Sequence, residues 1–134
     1  MAHAARPLVA VTGQTVDVYR NLNNGRLSVR GTSGPTAGRV LGHAAAVELC
    51  AVTFRIQRGG QERAIRERRR NVHAVARGRL VAHDDALQAP DHAVPLRYNV
   101  YVARDFHILH SHKIVTRAER LWIIDGRMYS MHPA

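Results

Sequence analysis

Residues 47–81 read VELCAVTFRIQRGGQERAIRERRRNVHAVARGRLV, and this stretch decides the fold. Val52, Phe54 and Ile56 alternate with Thr53, Arg55 and Gln57, the period of a strand with one buried and one wet face. A strand is therefore predicted over 47–57, with Arg55 on the wet side. Gly59-Gly60 breaks it, and the only helix the sequence predicts follows at about 61–70. There Glu62 precedes Arg66 by four residues and Arg63 precedes Glu67 by four, giving weak mutual support. Ala64 and Ile65 alone form its apolar face, so so short a helix has to dock on the sheet. Asn71 suits the left-handed residue at a helix end, and strand character resumes over 72–81.

The alternation continues on both sides. Val16 and Val18, then Leu27 and Val29, predict a hairpin of 16–20 with 26–30 across Asn23-Asn24-Gly25. A Gly- and Pro-punctuated turn over 31–38 leads to a strand at 39–43. After a polar loop at 83–95 come strands at 96–101 and 106–109, then a hairpin of 120–124 with 127–131 across Asp125-Gly126. The expectation is an α+β fold: a predominantly antiparallel β-sheet with hairpins and one short Arg-rich helix. It forms a single β-rich domain over 15–134, behind a flexible N-terminal arm over 1–14. That arm is too poor in consecutive apolar residues for a signal peptide, and no stretch is long enough to span a bilayer, which predicts a cytoplasmic protein. Cys50 is the only cysteine, so no intramolecular disulfide is possible, and it reads as a small core residue.

The formal net charge is +10, and Lys113 is the only lysine among twenty basic residues. A GC-rich coding bias would produce that preference, yet guanidinium is also the group best suited to bidentate phosphate recognition. An acidic partner is favoured: a nucleotide, a nucleic acid or an acidic protein surface. Arg58, Arg63, Arg66, Arg68, Arg69 and Arg70 crowd beside Gly59-Gly60, where the start of a helix offers backbone N–H groups to an anion. A solvated basic face is the plain alternative. Asn71 and His73 extend the cluster with an amide and an imidazole, and Tyr98, Asn99 and Tyr101 form a second group able to stack on a base and bond to it. Tyr19-Arg20-Asn21 is a comparable trio. Asp125-Gly126 is first a turn, leaving Arg127 free for a pocket or a subunit contact. His107, His110 and His112 raise a metal site, but no cysteine and few carboxylates lie nearby to complete one, and neither metal nor cofactor is expected.

The Tyr19-Arg20-Asn21-Leu22 and Arg70-Asn71-Val72-His73-Ala74 segments, with Gly60-Gln61-Glu62-Arg63 and Tyr98-Asn99-x-Tyr101, resemble the first-described family of phage anti-Thoeris sponges. The resemblance covers roughly residues 17–131. It implies a non-catalytic phage anti-defence protein, assembled from dimers into a larger homo-oligomer, that sequesters a cyclic ADP-ribose isomer and in some members cyclic oligonucleotides. By the same resemblance Arg69 or Arg70, Asn99, Asp125 and Arg127 are ligand contacts. The 83–95 loop does not align with the family, and arginine in place of lysine throughout is not diagnostic. Two rivals stand beside it. One is a phage nucleic-acid-binding protein that sets the same arginines on phosphate backbone, and the other a cyclic nucleotide phosphodiesterase using His73 or His110 as general acid or base.

Overall fold

The computed structural model of the chain describes residues 5–9 and 12–134. Its strands are β1 (Thr15–Arg20), β2 (Leu27–Gly31), β3 (Val40–Ala44), β4 (Ala46–Ile56), β5 (Ala74–His83), β6 (Val94–Arg97), β7 (His107–Ile108), β8 (Arg117–Ile124) and β9 (Arg127–Pro133). They form one open sheet in the order β3-β2-β1-β5-β4-β8-β9-β6-β7, each adjacent pair antiparallel. Among the described residues a single α-helix, α1 (Arg58–Glu67), joins β4 to β5. The described fold is mainly β with one short α-helix.

Val16, Val18, Leu27 and Val29 from the first hairpin meet Leu49, Leu80 and Leu121 from the centre of the sheet in one apolar cluster. Each of those leucines is fully buried, and each contributes about 1.5–3 kcal/mol relative to exposure. The alternation along β4 is interrupted. Ala51 adopts a left-handed φ of 51°, and the register against β5 jumps between Cys50 and Thr53. This bulge resets the pleat, so that Val47 and Leu49 before it and Val52 and Phe54 after it all reach the same core. Gly78 faces it on β5, where a Cβ would lie 2.9 Å from the Cys50 carbonyl oxygen.

Several expected boundaries shift, each for a local reason. The helix begins at Arg58 rather than 61 and ends at Glu67 rather than 70, so Gly59 and Gly60 lie inside its first turn instead of breaking the chain before it. Arg68, at φ 53°, is the left-handed cap expected of Asn71. Residues 98–105 hold the helix: Tyr101 donates from its hydroxyl to the Ala64 carbonyl (3.1 Å), and Glu62 pairs with Arg104 rather than Arg66. The strand expected over 96–101 runs instead over Val94–Arg97, because Asn99 Oδ1 accepts the Tyr101 N–H (3.0 Å) and turns the chain. Asn23-Asn24-Gly25 is not a two-residue turn. Asn21 Oδ1 accepts the N–H groups of Asn23 and Asn24, organising a longer loop in which Gly25 has positive φ. The Asp125-Gly126 turn has the expected form, with φ of 49° and 78° at its two central residues.

The arm expected to be loose is tied to the edge strand β3 where it is described. Val9 N–H donates to the Leu41 carbonyl (3.0 Å), His43 N–H to the Arg6 carbonyl (2.9 Å), and Arg6 N–H to His43 Nδ1 (2.9 Å). Residues 1–4, 10 and 11 of that arm lie outside the described residues.

Candidate functional site

Asn71, His73 and Tyr98 are brought together, and their polar atoms are used on one another. Asn71 Nδ2 donates to the Gly60 carbonyl (2.9 Å), which leaves Oδ1 as the acceptor for His73 Nδ1 (2.6 Å). His73 Nδ1 therefore carries the proton, and Nε2 accepts from the Tyr98 hydroxyl (2.6 Å). That hydroxyl in turn accepts from Gln61 Nε2 (3.0 Å), whose other N–H goes to the Arg104 carbonyl (2.7 Å). Arg58 closes the network, donating to Gln61 Oε1 (3.0 Å), the Arg104 carbonyl (2.9 Å) and Asp105 (2.6 Å). Burial pushes His73 below the ordinary imidazole range, although its hydrogen bond at Asn71 pulls the other way. Burial likewise raises Tyr98, against Gln61 and Arg58. A neutral His73 and a protonated Tyr98 satisfy every bond in the chain, with both imidazole nitrogens engaged. Phe54, Phe106 and Tyr98 stack at centroid distances of 4.5 and 4.6 Å, and His73 meets the Tyr98 ring edge-on at 5.6 Å.

Tyr98 also lines a groove of about 660 Å³ at the ends of β6 and β9, within the size range of small-molecule sites. Asn99 and Arg127 join it there, with Arg97, Gly126 and Tyr129. The two strands pair Pro95 with Tyr129 and Leu96 with Met128, and the next residue of each, Arg97 and Arg127, lines the groove. Like charges that share a groove repel. No carboxylate is among the lining residues, and neither arginine has an ion-pair partner among the described residues. Arg20 reaches the same turn: a Cβ on Gly126 would stand 3.3 Å from its guanidinium.

Other expected residues lie elsewhere. Arg69 and Arg70 are exposed in the connection from α1 to β5, outside the groove, because the helix stops before them. Gly60, expected to leave room for a phosphate, is pressed on His73, where a Cβ would come within 2.9 Å. Asp125 is exposed in its turn and does not line the groove. His110 and His112 do not share a strand face, since β7 ends at Ile108 and Ser111 N–H bonds back to the Ile108 carbonyl (3.0 Å). No group of metal-ligating side chains is found among the described residues. Arg97 and Tyr129 were not singled out from sequence, and Gln61 entered only within the Gly60-Gln61-Glu62-Arg63 segment. Arg97 precedes Tyr98 directly, and Arg127 and Tyr129 share a strand face at period two, a signal that was available.

Residues 10–131 match the family of the Mycobacterium phage L5 gene 82 protein. The chain belongs to that gene 82 family. It is thus a member of a phage protein family, as the resemblance implied, but the match is to the gene 82 family and not to the anti-Thoeris sponges. Comparison with curated proteins gave no match, and comparison with solved structures gave none. No helix among the described residues of this gene 82 family member is long and apolar enough to cross a membrane.

Proposed function

We propose that this phage protein captures a phosphate-bearing cyclic nucleotide, a cyclic ADP-ribose isomer or a cyclic oligonucleotide, without turning it over. It thereby withdraws an immune signal from the cytoplasm of the infected host. The observation that carries this reading is that Arg97 and Arg127 line one groove that no carboxylate lines. An anion between two guanidinium groups relieves their repulsion through paired charge-assisted bonds. Tyr98 and Tyr129 supply ring faces for a base, and Asn99 an amide at the rim. Capture without chemistry is supported by His73, whose ring nitrogens are both bonded inside the network.

Calorimetry against cyclic ADP-ribose isomers and cyclic di- and trinucleotides tests the proposal, with R97Q and R127Q expected to weaken binding by about tenfold or more. Heat denaturation of the complex should release intact ligand, and a linear product would overturn capture in favour of hydrolysis. Light scattering with and without ligand tests assembly from dimers into a homo-oligomer. A second reading draws on Arg66, Arg68, Arg69 and Arg70, all exposed and free of ion pairs among the described residues. They could instead track a nucleic-acid backbone. Binding to oligonucleotides that falls linearly with salt on logarithmic axes, with no response to any cyclic nucleotide, would favour it.

A further inference from the structure

A second cationic hollow lies on the wet face of the sheet. Asp17 on β1, though 3% exposed, accepts two bonds from Arg77 on β5 (2.8 and 3.0 Å) and one from Arg30 on β2 (3.3 Å). Burial alone would raise the Asp17 carboxyl, but the bonds and charges of Arg77 and Arg30 prevail and lower it, keeping it ionised. Arg30 is held on its other side by the Tyr19 ring, 5.3 Å from its guanidinium carbon to the ring centroid. Arg55 on β4 completes a hollow of about 370 Å³ with these groups, and it has no hydrogen-bond or ion-pair partner among the described residues. Three guanidinium groups thus face one carboxylate. Each carries more N–H donors than its bonds to Asp17 use, so donors remain directed at whatever enters. Val72 and Val75 give the hollow an apolar side. His73 also borders it, but its ring nitrogens are already bonded.

We propose that Arg30, Arg55 and Arg77 form a second anion site, preorganised by Asp17, that takes a multiply charged phosphate group. The role of Asp17 is to fix two of the guanidinium groups before the ligand arrives, which lowers the ordering cost of binding. Its walls come from β1, β2, β4 and β5 with Gln57, Val72 and His73, none of which lines the groove between β6 and β9. The two sites share no lining residue and meet only through the His73–Tyr98 hydrogen bond.

Isothermal titration of the full chain with inorganic pyrophosphate, and separately with ADP, tests it at low ionic strength. The expected result is saturable binding that R55Q weakens by about tenfold or more and that R39Q, which removes an exposed arginine lining neither site, leaves unchanged. Arg55 is exposed and unpartnered, so R55Q should fold as the parent does, which the unfolding temperature verifies. Tighter binding of ADP than of pyrophosphate would assign the phosphate to a nucleotide, and equal binding to an inorganic anion. No binding of either probe, binding indifferent to R55Q, or binding weakened equally by R39Q would overturn the second site.

Discussion

Tyr98→Phe separates the structural role of Tyr98 from the ligand-binding role proposed for it. The substitution removes one oxygen and leaves the ring on Phe106, at a centroid distance of 4.6 Å. Gln61 is fully buried, and of its two amide hydrogens one retains the Arg104 carbonyl while the other loses its only acceptor. A buried N–H left unpaired costs about 1–3 kcal/mol. His73 Nε2 loses its donor as well, a bond of about 1 kcal/mol at a position only partly shielded from water. A loss of about 2–4 kcal/mol follows, a large share of the roughly 5–15 kcal/mol that holds a domain together. At roughly 4 °C per kcal/mol for a chain of this size, Tm should fall by about 8–15 °C. Thermal and urea unfolding measure it, and nucleotide affinity in the folded protein should change by less than about threefold because the stacking face persists. A fall in Tm under about 2 °C would mean that water already satisfies Gln61, and the network would not be what fixes α1 on residues 98–105.

Gly42→Ala should release the arm, since Gly42 has φ 143° and a Cβ there would stand 2.3 Å from the Pro7 carbonyl oxygen. Amide exchange at Val9 and His43 should accelerate by about tenfold or more, and unchanged rates would show that the arm pairing is not maintained in solution. Burial pushes both His73 and His43 below the ordinary value of 6.5, with Arg6 and Arg26 adding to the effect at His43. Above that pH both residues are neutral whether folded or not; below it the unfolded chain takes up protons that the folded one refuses, so stability should fall as pH drops through 6.5. Thermal melts from pH 8 down to about 4.5 check this, and a flat profile would contradict it. Asp17→Asn should cost about 1–3 kcal/mol, less than a fully buried pair because Arg30 and Arg77 are each partly exposed, and added salt should recover part of the loss. Urea unfolding at two ionic strengths measures it; a loss indifferent to salt would show that repulsion between the arginines is not its source.

The strands were legible because period two is a local signal: Val16 and Val18, or Leu121 and Ile123, declare a buried face within a few residues. The Asp125-Gly126 turn was legible for a similar reason, since few dipeptides accept positive φ at both positions. The helix was displaced by three residues because two glycines read as a break. In the folded chain the missing Cβ of Gly60 lets the first turn of α1 lie against His73, a demand made by a partner thirteen residues away. The same limit governs the sites. Tyr98, Asn99 and Arg127 could be proposed from residue type, but Arg97 acquires its meaning only when the pairing of β6 with β9 brings it to the groove that Arg127 also lines.

Charge was the feature most easily misread from local density. The run from Arg66 to Arg70 is where arginines are most concentrated in sequence, yet these residues are exposed and organised by no acidic partner among the described residues. Arg30 and Arg77 lie thirteen and sixty residues from Asp17 and converge on it because three neighbouring strands register Asp17 against both. An arginine fixed by a buried carboxylate has surrendered much of its side-chain entropy during folding, whereas one on an exposed run surrenders it on binding. For equal numbers of guanidinium groups, the dispersed set on the sheet should therefore bind a compact anion more tightly than the contiguous run. The run retains the advantage only for an extended polyanion that can reach each side chain where it already lies.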